Sequence, residues 1–200
     1  QRIPNTNVGL WPYVVGADPA EGVGGDRSVG VVRSGKDRSL SAALIGQLPP
    51  EYFAAELQKA GRFYHFAKIL CEREGPGHAV NLELVRSYGN LYVEEQVMRV
   101  GMPQTRRYGF STNPRTRPII LSQMAEEIRS RGVELRDLRL IEECRTFIVD
   151  ENGKPRADAG YHDDYVFAWS IAGWGLQKLP TRPLKRPQPR RRPSRTSLVG

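Results

Sequence analysis

From Tyr13 to Arg33 a Val-rich run gives way to a Gly-rich connection and then to a second Val-rich run, which predicts a strand, a loop and a strand. Period-two alternation places Val14, Gly16 and Asp18 on one face and Tyr13, Val15 and Ala17 on the other. A carboxylate therefore stands at the tip of an otherwise apolar strand. A lone buried anion costs several kcal/mol. Asp18 either has a metal ion, an Arg or backbone N–H groups beside it, or serves with Pro19 as a turn former. Ser39–Gly46 reads as a third strand, which completes an antiparallel meander. Pro50 opens a helix with Phe53, Leu57, Ala60 and Tyr64 on one stripe and Gly61 as its weak point. The run Ala67–Cys71 then ends in an acid, Glu72, repeating the arrangement at Asp18. A strand in that place adds in parallel beside the first strand and brings the tips holding Asp18 and Glu72 together, at the carboxyl ends of strands where such sheets bind ligands.

Gly75-Pro76-Gly77 breaks the chain before a helix from about His78 to Tyr88, with Val80, Leu84, Val85 and Tyr88 on one side. Leu91–Val97 reads as a further strand. Arg99–Arg117 holds five arginines, Tyr108, Phe110 and no acid; it is a loop or small hairpin that touches phosphates, or an ordinary basic surface loop. A helix capped by Thr116 runs to Arg131, with Ile120, Met124 and Ile128 inward and Gly132 ending it. A short helix at Leu138–Glu143 precedes a strand at Thr146–Val149 and a hairpin turn at Asp150–Lys154. His162-Asp163-Asp164 opens the last helix, which has so little polar surface that it must be mostly buried. Capping and the helix dipole alone account for Asp163, whereas Asp164 faces another way. The fold class is α/β, a mixed sheet of a three-strand meander plus parallel strands, flanked by helices.

Two hundred residues suit one domain. No apolar run approaches a membrane span, and Gln1–Asn7 lacks the apolar core of a signal peptide, so a cytoplasmic protein is expected. Cys71 and Cys144 are far apart and have no metal-type spacing, which makes them core residues. The net charge is +8, but seven Lys or Arg and no acid follow Pro180, leaving 23 basic against 22 acidic residues before it. Five prolines share that segment, so 180–200 reads as an extended basic tail, able to lie along phosphates or simply solvated. Residues 1–12 read as a linker and 13–179 as the folded domain.

Acids at two strand ends and at the start of a buried helix make an oxygen-rich, negative pocket suited to Mg²⁺ or Mn²⁺. Two such ions about 4 Å apart polarise a phosphodiester and activate a water, which is the chemistry of a hydrolytic nuclease.

The ordered set Gly16-Ala17-Asp18-Pro19-Ala20, Asp26-Arg27-Ser28-Val29, Glu72, Gly77-His78, Tyr108-Gly109-Phe110-Ser111-Thr112-Asn113, Thr116-Arg117-Pro118 and Asp158–Gly160 with His162-Asp163-Asp164 resembles the nuclease domain of phage terminase large subunits from about Tyr13 to Leu176. The resemblance implies a ribonuclease H-like fold and a metal-dependent endonuclease that cuts concatemeric viral double-stranded DNA during packaging, in the host cytoplasm. It implies an upstream ATPase domain, a small terminase and a capsid portal as partners. Position by position, Asp18 resembles the acid that bridges both metals, Glu72 the second-strand acid, and Asp164, with Asp163, the acid pair on the last helix. Asp26 resembles an accessory acid. His78 resembles a group that orients water or phosphate, or makes an ordinary helix-start hydrogen bond. Arg106, Arg107, Arg115 and Arg117 are expected on phosphates.

The sequence departs from the family after Glu72, where Arg73–Gly77 replaces a pair of asparagines. Glu74 reaches the metal only if the strand stays regular past Glu72. No Gly-x-x-x-x-Gly-Lys-Ser/Thr segment exists, so ATP binding is not expected, and the chain reads as a nuclease domain of a longer protein. A Holliday-junction resolvase and a non-catalytic DNA or portal docking module are the rival readings.

Overall fold

A computed structural model describes residues 11–22, 27–94, 106–151 and 153–179. Strands β1 (Tyr13–Asp18), β2 (Ser28–Ser34) and β3 (Leu40–Gly46) form the expected meander, and β4 (Lys68–Cys71) joins it in the order β3-β2-β1-β4. The β1–β2 and β2–β3 pairs are antiparallel and β1–β4 is parallel. The crossover that makes the parallel pair possible is helix α1 (Pro50–Phe63). This is a ribonuclease H-like arrangement, and both faces of its sheet are covered. Val15, Ala17, Val32, Ile69 and Cys71 pack with Phe53 and Leu57 of α1 and with Val80 and Leu84 of α2 (Gly77–Ser87). On the other face Val14, Val29, Val31 and Leu70 pack against α5 (Asp164–Gln177), flanked by α3 (Thr116–Arg129) and α4 (Leu138–Arg145).

Alternation thus decides which side each β1 residue serves, and the Asp18 face is the α5 face. Gly16 explains how closely that helix lies. A Cβ there would stand 2.2 Å from the Ala168 carbonyl oxygen and 2.4 Å from the Ala172 nitrogen, so only glycine lets the helix backbone rest on the strand.

The remaining strands are short. β5 (Val93–Glu94) pairs with β6 (Arg107–Tyr108), and β7 (Phe147–Val149) pairs with β8 (Pro155–Ala157) around the expected turn. The expected strand beyond Glu94, Arg99 and the segment 180–200 lie outside the described residues.

Local details differ from the pattern-based expectation where distant groups intervene. The first turn of α3 is served by Asn113, whose Oδ1 accepts from the N–H groups of Arg115 and Thr116, while Thr116 Oγ1 donates to Ser111 O at 2.6 Å. The left-handed residue ending α3 is Arg131 (φ 53°), not Gly132, with Gly132 N–H bonding Glu127 O and Arg131 N–H bonding Ile128 O. Val85 and Ile128 face outward. Gly61 is no weak point, because a Cβ there would lie 2.4 Å from the Tyr88 hydroxyl, which is what lets Tyr88 pass and bond Ala67 O at 2.6 Å.

Candidate metal and phosphate site

The parallel register places the first two acids. Ala17 pairs with Cys71, and Glu72 N–H donates to Ala17 O at 2.8 Å, so Asp18 and Glu72 follow side by side at the carboxyl ends of neighbouring strands. Both are half-buried. Helix packing supplies the rest. Gly175 of α5 sits over Val14, and Ala168 and Ala172 sit over Gly16. One further turn back along that helical face, at spacing i, i+4, is Asp164, over the next strand position on the same face, Asp18.

Electrostatics report the convergence. The Asp18 carboxyl is pushed well above the usual carboxylate range, first by burial, then by the charge of Glu72 and a hydrogen bond with it, then by the charges of Asp164 and Asp163. Cys71 directly below is likewise pushed up, mainly by burial and then by Asp18 and Glu72, which leaves a protonated, inert thiol.

The two helix acids are held differently. Asp163 Oδ2 lies 3.4 Å from Arg117 Nη2 and accepts from Ala157 N–H at 3.4 Å. Arg117 also donates to Pro155 O at 3.1 Å and lies 4.1 Å over the Phe167 ring. Asp163 is thus tied to β8 and α3. Asp164 Oδ2 stands 3.7 Å from His162 Nδ1. Nor does Asp163 cap its helix. Glu143 of α4 does so, its Oε2 accepting from the N–H groups of Tyr165 at 2.8 Å and Val166 at 3.3 Å while Arg27 lies 3.5 Å from its other oxygen. Burial raises the Glu143 pKa, those two N–H bonds oppose the rise, and Asp164 adds to it.

At the other edge, Asn81 is buried and its amide donates to Gly77 O at 2.8 Å and Glu72 O at 3.0 Å. It fixes the backbone of Glu72 where the strand stops. Phe110 pairs with Glu72 in a parallel bridge, and Gly109, at φ +87°, has Asn81 and Cys71 O 2.8 Å from where a Cβ would be. That accounts for the glycine in the Tyr108-Gly109-Phe110 motif. The strand does not continue past Glu72. Glu74 is exposed, accepting from Ser111 Oγ at 3.0 Å and lying 3.5 Å from Arg73.

His78 is exposed in the first turn of α2, and Arg106, Arg107 and Arg115 are exposed. Arg117 is engaged with Asp163 and Phe167 instead of projecting outward. Asp26 lies outside the described residues. Sequence reasoning missed Asn81 and Glu143. No signal in the sequence points to Glu143, because Asp163 offers a local cap that the structure does not use.

The donor set is all oxygen and strongly anionic, which fits hard divalent cations. The raised affinity of Asp18 for a proton comes first from burial and then from the neighbouring carboxylates, and a bound cation would oppose both. Among the described residues no three His, Cys, Asp or Glu side chains are gathered at the spacing of a formed cation cage; Asp18, Glu72 and Asp164 are the candidates to close on an ion, and Asp163 is the one held aside.

A mixed four-strand sheet with acids at the adjacent carboxyl ends of β1 and the edge strand β4 defines the class of fold, the ribonuclease H-like one. Within it the chain shares its fold with large terminase nuclease domains. It is similar to the large terminase nuclease of thermophilic phage G20c with bound magnesium (TM-score 0.65, 19% identity, 86% of this chain and 82% of that one) and with bound cobalt (0.65, 19%, 82% and 81%). It is also similar to the Thermus phage P74-26 large terminase nuclease domain (0.58, 19%, 81% and 78%). No protein-family model and no curated sequence matches it. Among the described residues no helix is long and apolar enough to cross a membrane.

Proposed function

We propose that this chain is a Mg²⁺- or Mn²⁺-dependent endonuclease that hydrolyses phosphodiesters of double-stranded viral DNA during genome packaging. The observation that supports the reading is the parallel register that sets Asp18 and Glu72 side by side at one end of the sheet, where the charges of Asp164 and Asp163 are felt, in a fold shared with phage terminase nucleases. Asp18, Glu72 and Asp164 hold the ions, with Asp163 beside them and Asp26 as an accessory acid. Two bound ions supply a polarised phosphate and an activated water. The chain's own residues do the positioning. The α1 crossover and Asn81 fix Glu72, Gly16 and Glu143 fix the start of α5, and Arg117 holds Asp163.

His78 orients water or phosphate at the rim. Arg106, Arg107 and Arg115 meet the DNA backbone without reading bases, and the basic segment 180–200 adds a salt-sensitive attraction. Residues 1–12 are a linker from an ATPase domain, and a small terminase and a capsid portal are partners in the infected cell's cytoplasm.

Plasmid cleavage with Mn²⁺ tests this. The parent cuts, and Asp18→Ala and Glu72→Ala each lose at least about 10²-fold in rate while keeping the parent's circular dichroism. An inert parent would leave a docking module, and equal cutting by parent and Asp18→Ala would refute the site. Marked preference for four-way junctions would favour the resolvase reading.

A further inference from the structure

Beside the acids, on the α4 side of the α5 N-terminus, lies a cleft of about 490 Å³ whose lining includes Arg27, Arg139, Arg145, Glu142, Glu143 and His162. We infer that this cleft is a phosphate-binding subsite that holds the backbone of the DNA strand next to the phosphate being cut, with Arg139 and Arg145 as its anion-binding groups. The inference rests on the nuclease reading above and names residues that the reading does not use.

Three observations carry it. The cleft borders Asp164, because His162 in its lining stands 3.7 Å from that acid and Glu143, also in the lining, bonds the first N–H groups of the helix that Asp164 opens. Its internal charges are unequally spent. Glu143 is buried and answered by Arg27 and by the helix N–H groups. Arg145 is exposed and, among the described residues, makes no ion pair, and exposed Arg139 has a pairing at 3.6 Å with half-buried Asp137. Two exposed arginines therefore line a concave surface, and a guanidinium fork is the group that binds phosphate in bidentate fashion. Finally, an anionic duplex that approaches Asp18, Glu72 and Asp164 meets repulsion that nearby cationic side chains offset, and the arginines of this cleft stand beside the helix that Asp164 opens. Glu142 in the same wall opposes part of this charge, which restricts the subsite to the two arginines.

The test uses the cleavage-defective Asp18→Asn chain and a short fluorescein-labelled duplex, with affinity read by anisotropy over a series of salt concentrations. Adding Arg139→Ala and Arg145→Ala together weakens binding and flattens the log–log salt slope by about 0.9 for each phosphate no longer neutralised; Arg145→Lys retains the slope. Arg86→Ala, on α2 across the sheet and exposed, leaves affinity and slope unchanged. Both positions tested are on one helix where alanine is favourable, and melting temperatures check that the variants fold. An unchanged slope in the double variant, or an equal loss from Arg86→Ala, overturns the subsite. Whether the parent cuts DNA with Mn²⁺ is scored separately, so failure of the nuclease reading is distinguishable from failure of the cleft.

Discussion

At the scale of single residues, Asp18 sets the pH behaviour of the metal-free domain. Its folded pKa lies above its unfolded one, so across the interval between the two the native chain holds a proton that the unfolded chain has released. Stability that is full below the unfolded value is lost as pH rises through the folded one. Denaturant titrations in EDTA should therefore show stability falling from about pH 4 upward. Asp18→Asn should shrink that fall, leaving the share of Glu143, whose pKa burial also raises, and should melt above the parent at neutral pH; a lower melting temperature for the variant would contradict this. The acid was legible in the sequence because an apolar period-two run ended on it. Its neighbours were legible only in part. Glu72 ended a similar run and Asp164 opened an apolar helix, but nothing near Asn81 or Glu143 in sequence marks them, since the carbonyls and N–H groups they serve belong to other elements.

At the scale of elements, the site depends on how closely α5 rests on β1. Gly16→Ala puts a methyl within 2.2–2.4 Å of helix backbone that cannot yield as a side chain end would. We expect a loss of about 1–3 kcal/mol or more from overpacking, and a loss of cleavage larger than the stability change explains, as Asp164 is lifted from Asp18. Cleavage at the parent's level in a folded Gly16→Ala chain would show that the spacing is unimportant. Elements built on period and burial, the meander, the parallel β4 and the buried α5, followed from sequence pattern. Their ends did not. Asn113 replaces Thr116 at the start of α3, and Arg131 replaces Gly132 at its end, because caps are chosen by local backbone geometry that hydrophobic period does not encode.

At the scale of the molecule, the sheet, α3 and α5 are tied by one buried ion pair. Arg33 of β2 is fully buried, 3.8 Å over the Trp169 ring, and its Nη2 bonds Glu127 of α3 at 2.7 Å, with Arg38 on the same carboxylate. Glu127→Ala leaves that guanidinium uncompensated and should cost about 3–5 kcal/mol, measured by denaturant unfolding, whereas Glu127→Gln keeps an acceptor and should cost less. A loss under about 0.5 kcal/mol, typical of surface positions, would mean that the pair is dispensable. The parallel pairing of β1 with β4 has a separate consequence. Asp18 and Glu72 are strangers until the intervening crossover has closed, and Asp164 arrives almost a hundred residues later still. On the nuclease reading proposed above, a nascent chain emerging from the ribosome, or a proteolytic fragment that stops short of α5, would carry an incomplete set of ligands and would be harmless to nearby DNA until synthesis has passed the final helix.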